Sequence, residues 1–290
     1  MADKDTERSV EQQTREAGKP RETYGALFGD FRPGQKDSSD NPMMRSKEAA
    51  KRPLPKRFYK DVAVGEEADD AGNLLYSVLL DGRKVKSPAK KTVAVPNRML
   101  AEALVAEWAA QETEINPATM PLSRLVNSIR DGVEEARPAL IDEIVAYLNN
   151  DFLCYPATHP ERLVQRQKDH WHPVLNRAEN ALGGRFVQAS GILAVEQSPV
   201  MGARLRALWG DLDIFQLGAV HSIMTLTGSA LLAFALWDGF LDADAAWNAA
   251  MVDEDWNIEL WGEDEEATKR RAFRRAEYDA AVLVIQAFRG

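Results

Sequence analysis

From Ile214 to Trp237 the chain carries no charged side chain. A run of that length is enough to cross a bilayer, so it decides early what kind of molecule this is. Gln216, His221, Ser222, Thr225, Thr227 and Ser229 interrupt it with polar groups. Its flanks are the acids Asp213 and Asp238, with no juxtamembrane cluster of Lys or Arg to set an orientation. The segment therefore reads as the central helix of a water-soluble bundle, without stable membrane insertion. Gly218, Ala219, Gly228, Ser229 and Ala230 are small enough to let neighbouring helices approach closely.

Around this segment the chain divides into three parts. Residues 1–57 are polar, charged and rich in Gly, Pro, Ser and Gln, the composition of a disordered tail. Inside it Tyr24–Phe31 forms a small aromatic cluster, either a short docking segment or chance hydrophobicity. Lys51, Arg52, Lys56 and Arg57 close the tail as a basic run, read as a solvated linker. Residues 58–120 form a small α+β domain. Leu74–Leu80 is a β-rich run, Asp81-Gly82 is a hairpin signal before Arg83–Lys86, and Thr92–Val95 is a third strand. Asn97 can cap a helix whose Leu100, Leu104 and Trp108 share one face. Residues 121–290 are helical, an orthogonal bundle. Stops are expected at Asp131-Gly132, Asn149-Asn150 and Gly183-Gly184, a short extended piece at Phe186–Ser190, and the last two helices near 242–261 and 265–288.

Charge and cysteine use narrow the chemistry. A net charge of −9 argues against nucleic acid as a partner, since phosphate needs a basic surface. Cys154 is the only cysteine, so there is no intrachain disulfide and no CxxC motif. The N-terminus has no apolar signal-peptide core and mixes acids with bases. A cytoplasmic bacterial protein is expected, or a mitochondrial matrix protein if the source is eukaryotic. Cys154, His159, His170 and His172 lie close in sequence, but their spacing fits no standard zinc site. Pro173 also biases His172 away from helical geometry. His221 beside Ser222 lacks a nucleophile elbow, and there is no P-loop and no GxGxxG. No metal, cofactor or small-molecule substrate is expected. An enzyme using a carboxylate or the histidines is the alternative.

One stretch points to a binding surface. Asp253 to Glu266 contains no basic residue and two tryptophans. On a continuous helix, Trp247, Met251, Ile258 and Trp261 share a face, while Val252, Trp256 and Leu260 occupy roughly the opposite one, flanked by Glu259 and Glu263. So many carboxylates are poorly placed for burial. The expectation is a core face plus an outward apolar face ringed by acids, with Asp253, Glu254, Trp256, Glu259, Leu260, Glu263 and Glu265 as partner-binding residues. An ordinary amphipathic helix with a solvated acidic side is the simpler alternative.

Several stretches in order resemble one family. They are Leu80–Lys90 leading to Val95-Pro96, Glu107–Gln111, Met120–Leu125, Asp151–Tyr155, Gln167 through Trp171 to Pro173, and Asp253–Glu266 with Trp261-Gly262 at its centre. This set is similar to the assembly chaperones that bind the α subunit of the F-type ATP synthase catalytic head, found in mitochondria and alphaproteobacteria. The likeness spans about Phe58 to Phe288. It implies a small α+β domain followed by a helical one, no known catalytic activity, and transient binding of the unassembled α subunit until the β subunit arrives. It also implies an important acidic residue opening the C-terminal signature, which falls on Asp253. Glu is familiar at that position, and Asn257 stands where Gln is expected. Trp108 matches a family tryptophan, in a helix-face position that suggests packing.

Overall fold

The computed structural model describes residues 54–189 and 195–289. Residues 1–53, which hold most of the expected tail, the Tyr24–Phe31 cluster, Lys51 and Arg52, lie outside the described residues. So does Ser190 at the end of the expected extended piece, whose remainder, Phe186 to Ala189, is irregular.

The first layer is an antiparallel sheet. Strands β1 (Val62–Ala68) and β2 (Leu74–Leu80) pair from Val62↔Leu80 to Ala68↔Leu74. Strand β3 (Arg83–Lys84) returns from β2 through Asp81-Gly82, and β4 (Ala94–Val95) pairs with β2 further along, at Tyr76↔Val95. Both turn residues have positive φ, 47° and 77°, which is what a two-residue hairpin requires. The Asp81 carboxylate accepts from the backbone N–H of Lys60 and Asp61 and so ties the entering chain to the turn. Strand β1 was not foreseen. Its Gly65 and two glutamates carry little apolar pattern, because it is an edge strand, half wet on both faces. Gly65 is needed there: a Cβ would sit 2.9 Å from the Leu79 side chain.

Helix α1 (Arg98–Ala109) is capped by Asn97, which accepts from Met99 N–H, and lays Leu100, Ala101 and Leu104 on the buried sheet residues Val78 and Val95. Arg57, read as linker, is instead part of this fold. It stacks over Tyr59 and bonds the carbonyls of Tyr59, Lys60 and Gln111. Basic side chains with fixed carbonyl partners are structural, whatever the charge run around them suggests. From α1, Glu107 reaches the start of α2 (Pro121–Ser128) and accepts from Leu122 and Ser123 N–H, both at 2.7 Å. It thereby caps a helix that has no side-chain cap of its own.

The expected stop at Asp131-Gly132 is not a stop. A π-helical turn, Ile129–Val133, joins α2 directly to α3 (Glu134–Asn149). Asp131 is used across the fold, accepting from Ser87 Oγ and Ala89 N–H in the loop before β4. Helix α4 (Glu161–Leu182) ends at Gly183 in the left-handed conformation, as its sequence predicts, and α5 runs Pro199–Trp209.

The uncharged run is two helices, not one. Helix α6 (Ile214–Thr227) ends at Gly228, φ 77°, and α7 (Ala230–Trp237) starts from the cap of Ser229. The break is held by Asp151, which is buried. Its carboxylate accepts from Ser229 Oγ at 2.8 Å, Leu231 N–H at 2.9 Å and Leu153 N–H at 3.2 Å. Burial pushes the Asp151 carboxyl up to about 6, against the pull of these hydrogen bonds. Helix α6 packs on α2, α3 and α10 (Glu265–Ala287), and α7 on α3, α4 and α8 (Ala243–Ala250), so the pair is the centre of the bundle. The close approach expected of the small residues is met at Gly218, where a Cβ would lie 2.5 Å from Ile129 Cγ1. Among the described residues no helix is long and apolar enough to cross a membrane. The α+β arrangement, a small sheet followed by mostly helical chain, is the one expected.

Candidate functional site

The acidic, tryptophan-bearing stretch forms helix α9 (Val252–Trp261) and the corner that leads into α10. A single helix over 242–261 was expected. The chain instead breaks at Met251, φ −97° and ψ 4°, between α8 and α9. That break turns α9 relative to α8, and the two tryptophans of α9 lie on the faces opposite to those expected, while Leu260 is outward as expected. Val252 and Trp256 turn inward, Trp256 to 9% exposure. Trp261, assigned to the core face, is 85% exposed, and Leu260 beside it is 55% exposed. Trp247 and Met251 are buried as expected, but they belong to α8 and the joint.

Helix α9 opens with three acids, Asp253, Glu254 and Asp255, where the helix dipole favours negative charge. Each finds a cationic or amide partner on a neighbouring helix. Asp253 Oδ1 accepts from Gln167 Nε2 of α4 at 2.7 Å. Gln167 is buried, and its own carbonyl oxygen accepts from Ala157 N–H at 2.7 Å. Asp255 pairs with Arg271 of α10 at 2.5 Å, and Glu254 lies 3.8 Å from Arg274. Below them Trp171 of α4 donates its indole N–H to Ala249 O at 2.9 Å and fixes the end of α8.

One turn further, Trp256 lies beneath two arginines of α4, with Arg162 at 5.6 Å and Arg166 at 5.7 Å from its ring. Glu259 bridges the same two, Oε1 to Arg166 at 2.7 Å and Oε2 to Arg162 at 3.4 Å. The Arg166 guanidinium, with Arg162 behind it, holds the Glu259 carboxyl below the usual carboxylate range. Beside this pair an open groove of about 580 Å³ runs along α4, lined by Glu161, Arg162, Gln165, Arg166, Asp169 and His170. Helix α9 ends at Gly262, φ 84°, where a Cβ would touch nothing within 4 Å. Glu263 is exposed, Asp264 caps α10 by accepting from Ala267 N–H, and Glu265 and Glu266 pair with Lys269 and Arg270 four residues on.

The structure thus brings Asp253, Glu254, Trp256, Glu259, Leu260, Glu263 and Glu265 onto one helix and its following corner. Leu260, Glu259, Glu263 and Glu265 are exposed, Asp253 is exposed but held by Gln167, Glu254 is half-buried, and Trp256 faces inward. Sequence reasoning missed Trp261 as an outward residue, and it missed the α4 side of the site. Arg162 and Arg166 are four apart on a helix, a pattern shared with many solvated faces.

The other candidates do not converge. His170 and His172 are exposed on α4, on either side of buried Trp171. Helix α4 runs straight through Pro173, so the expected departure of His172 from helical geometry does not occur. Pro173 and Asp169, whose carbonyl loses its usual partner there, both lie on the solvent side. His221 is buried with Nε2 3.1 Å from Glu143. Burial pushes the Cys154 thiol up to about 12, the state of a packing residue and not of a nucleophile. Among the described residues no three His, Cys, Asp or Glu side chains group as a metal site would need.

Comparison with known proteins gives a consistent answer. The family model described as ATP12 chaperone protein matches residues 56–179. The mitochondrial protein atp12 of Schizosaccharomyces pombe is 30% identical over 234 residues, 75% of this chain and 79% of its own length. The crystal structure of the Atu1473 protein of Agrobacterium tumefaciens is 42% identical, with a TM-score of 0.75 over 87% of this chain and 92% of that one. Atp12 from Paracoccus denitrificans is 34% identical, with a TM-score of 0.71 over 80% of this chain and 98% of its own. A relative matched over most of its length, solved structures of the same fold and the family model all agree that this chain belongs to the ATP12 chaperone family.

Proposed function

We propose that this protein is an assembly chaperone that binds the unassembled α subunit of the ATP synthase catalytic head and keeps it from aggregating until the β subunit takes its place. The observation that carries the reading is the corner at Leu260 and Trp261: two large apolar side chains, 55% and 85% exposed, set among acids in a chain of this family. An unassembled ring subunit exposes apolar interface that its neighbour would cover. A surface that must cover it and later release it needs apolar contact for affinity and charge for steering and selection. Leu260, Trp261, Glu263 and Glu265 supply the contact face. Asp253, Glu254 and Glu259 hold α9 against α4 and α10 and add negative potential, and Trp256 supports the helix from beneath. Release follows from exchange with the competing subunit.

The test is light scattering of isolated α subunit with an equimolar amount of this protein. Wild type is expected to suppress aggregation, and a Leu260→Ala/Trp261→Ala double variant to lose most of that suppression. Suppression equal in the two would move the contact face elsewhere. Absence of any complex between wild type and α subunit would end the reading.

A further inference from the structure

Beside Lys269 and Arg270, which pair with Glu265 and Glu266 four residues before them on α10, the proposed surface carries a cationic element from another helix. Arg162 and Arg166 stand one turn apart on α4, both over the Trp256 indole and both on Glu259. They are not equivalent. Arg166 is largely covered, and its contact with Glu259 is short at 2.7 Å. The Arg162 side chain is 75% exposed, its contact is long at 3.4 Å, and Glu259 is the one carboxylate within ion-pair distance of it among the described residues. A guanidinium carries five N–H donors in a rigid fork. Here a single long contact engages part of that fork, and the guanidinium carbon lies 5.6 Å from the centre of the Trp256 ring. Arg162 also lines the open groove of about 580 Å³, with Gln165 and His170.

We propose that Arg162 is a specificity-determining residue of this surface: its fork takes a carboxylate of the client, next to an apolar client side chain seated on Leu260 and Trp261. The inference rests on α9 and its corner being the client surface. The physical reason is selectivity. Asp253, Glu254, Asp255, Glu259, Glu263 and Glu265 alone would draw any basic protein by long-range attraction. A cation set inside that acidic field adds a short-range demand. A partner with only positive charge meets a guanidinium held by one long contact to Glu259, while a partner carrying an acid at the matching point gains a charge-assisted, planar pair. Arg166 closes its own pair with Glu259, and so keeps Glu259 from moving fully onto Arg162.

The experiment titrates the full chain with isolated ATP synthase α subunit and, separately, with poly-lysine as a purely basic ligand. Wild type is compared with Arg162→Lys, Arg162→Ala and Arg162→Glu. Loss of a client carboxylate pair is expected to weaken α-subunit binding about tenfold in Arg162→Ala and further in Arg162→Glu. Arg162→Lys should fall between wild type and Arg162→Ala, because the charge stays and the fork goes. Poly-lysine binding should hold or tighten in Arg162→Glu. The inference is overturned if α-subunit affinity stays within about twofold of wild type in Arg162→Glu, or if both ligands weaken together. Wild type that binds no α subunit would instead overturn the function on which the inference rests.

Discussion

The α6–α7 pair and the α9–α10 corner are both built around large apolar side chains, and they dispose of them in opposite ways. In the pair, Trp209 of α5 lies against Phe234 and Trp237, with ring centroids 6.2 and 5.8 Å away, and is 1% exposed. In the corner, Trp261 points into solvent and is 85% exposed. The polar groups follow the same division. In the pair a buried carboxylate, Asp151, is satisfied from inside by a hydroxyl and two backbone N–H groups. In the corner most carboxylates are paired at the surface with arginines and lysines of α4 and α10, in contacts that water can replace. Under the proposed function, stability and recognition are placed in different parts of one bundle. A surface whose charges are mostly matched at home leaves its apolar side chains as the outstanding unmet contact.

The strongest way to break this division is Trp209→Ala. Removing a fully buried indole from an aromatic cluster is expected to cost about 3–5 kcal/mol in urea unfolding. A loss under about 1 kcal/mol would mean that the centre is not where stability resides. A pH series sharpens the same point at Asp151. Its folded carboxyl titrates at about 6, above the unfolded value of 3.8. Between about pH 4 and pH 6 the folded state alone holds the proton, so stability falls as pH rises through that window and levels off above it. The shift corresponds to about 3 kcal/mol. Asp151→Asn lacks this component, so its stability relative to wild type should rise by about that amount from pH 4 to pH 7. A difference that stays flat with pH would show that Asp151 does not titrate in this way. The smallest expected effect is at the corner. Leu260→Ala/Trp261→Ala should change unfolding free energy by less than about 0.5 kcal/mol even where client binding is lost. A large loss of stability would make these side chains part of the core and erase the contrast.

What was legible in the sequence was mostly local. Asn97 capping α1, the Asp81-Gly82 turn and Gly183 ending α4 each depend on one or two neighbouring residues, and each occurs as read. What failed depends on distant partners. Asp131-Gly132 has the composition of a stop, yet Ser87 and Ala89, more than forty residues away, use Asp131 inside a continuous rod. Gly228 looked like one small residue among several, but Asp151 makes it a break between two helices. At the site, the acids and tryptophans were found and Leu260 is outward as read, but the two tryptophans of α9 are on the opposite faces. A wheel assumes unbroken helix, and the joint at Met251 turns α9 relative to α8, so Trp256 and Trp261 exchange roles. Arg162, Arg166 and Gln167 were beyond reach for a simpler reason: nothing in α4 itself states that α9 will pack on it.

The π-helical turn at Ile129–Val133 has a consequence for insertions. An extra residue within an α-helix rotates everything after it by about 100°. A π turn takes up one added residue in a single wide loop and restores the helix beyond it. The α2–α3 rod therefore behaves as a helix that has absorbed an inserted residue, keeping Leu122 and Val126 on one side of the turn and Ile141, Ile144 and Leu148 on the other all facing the core. Deleting Gly132 would not simply shorten the rod. It would close the wide turn to ordinary α-helix with the buried faces of α2 and α3 still in phase, and the change would fall on Asp131, which sits in that turn and holds the loop before β4.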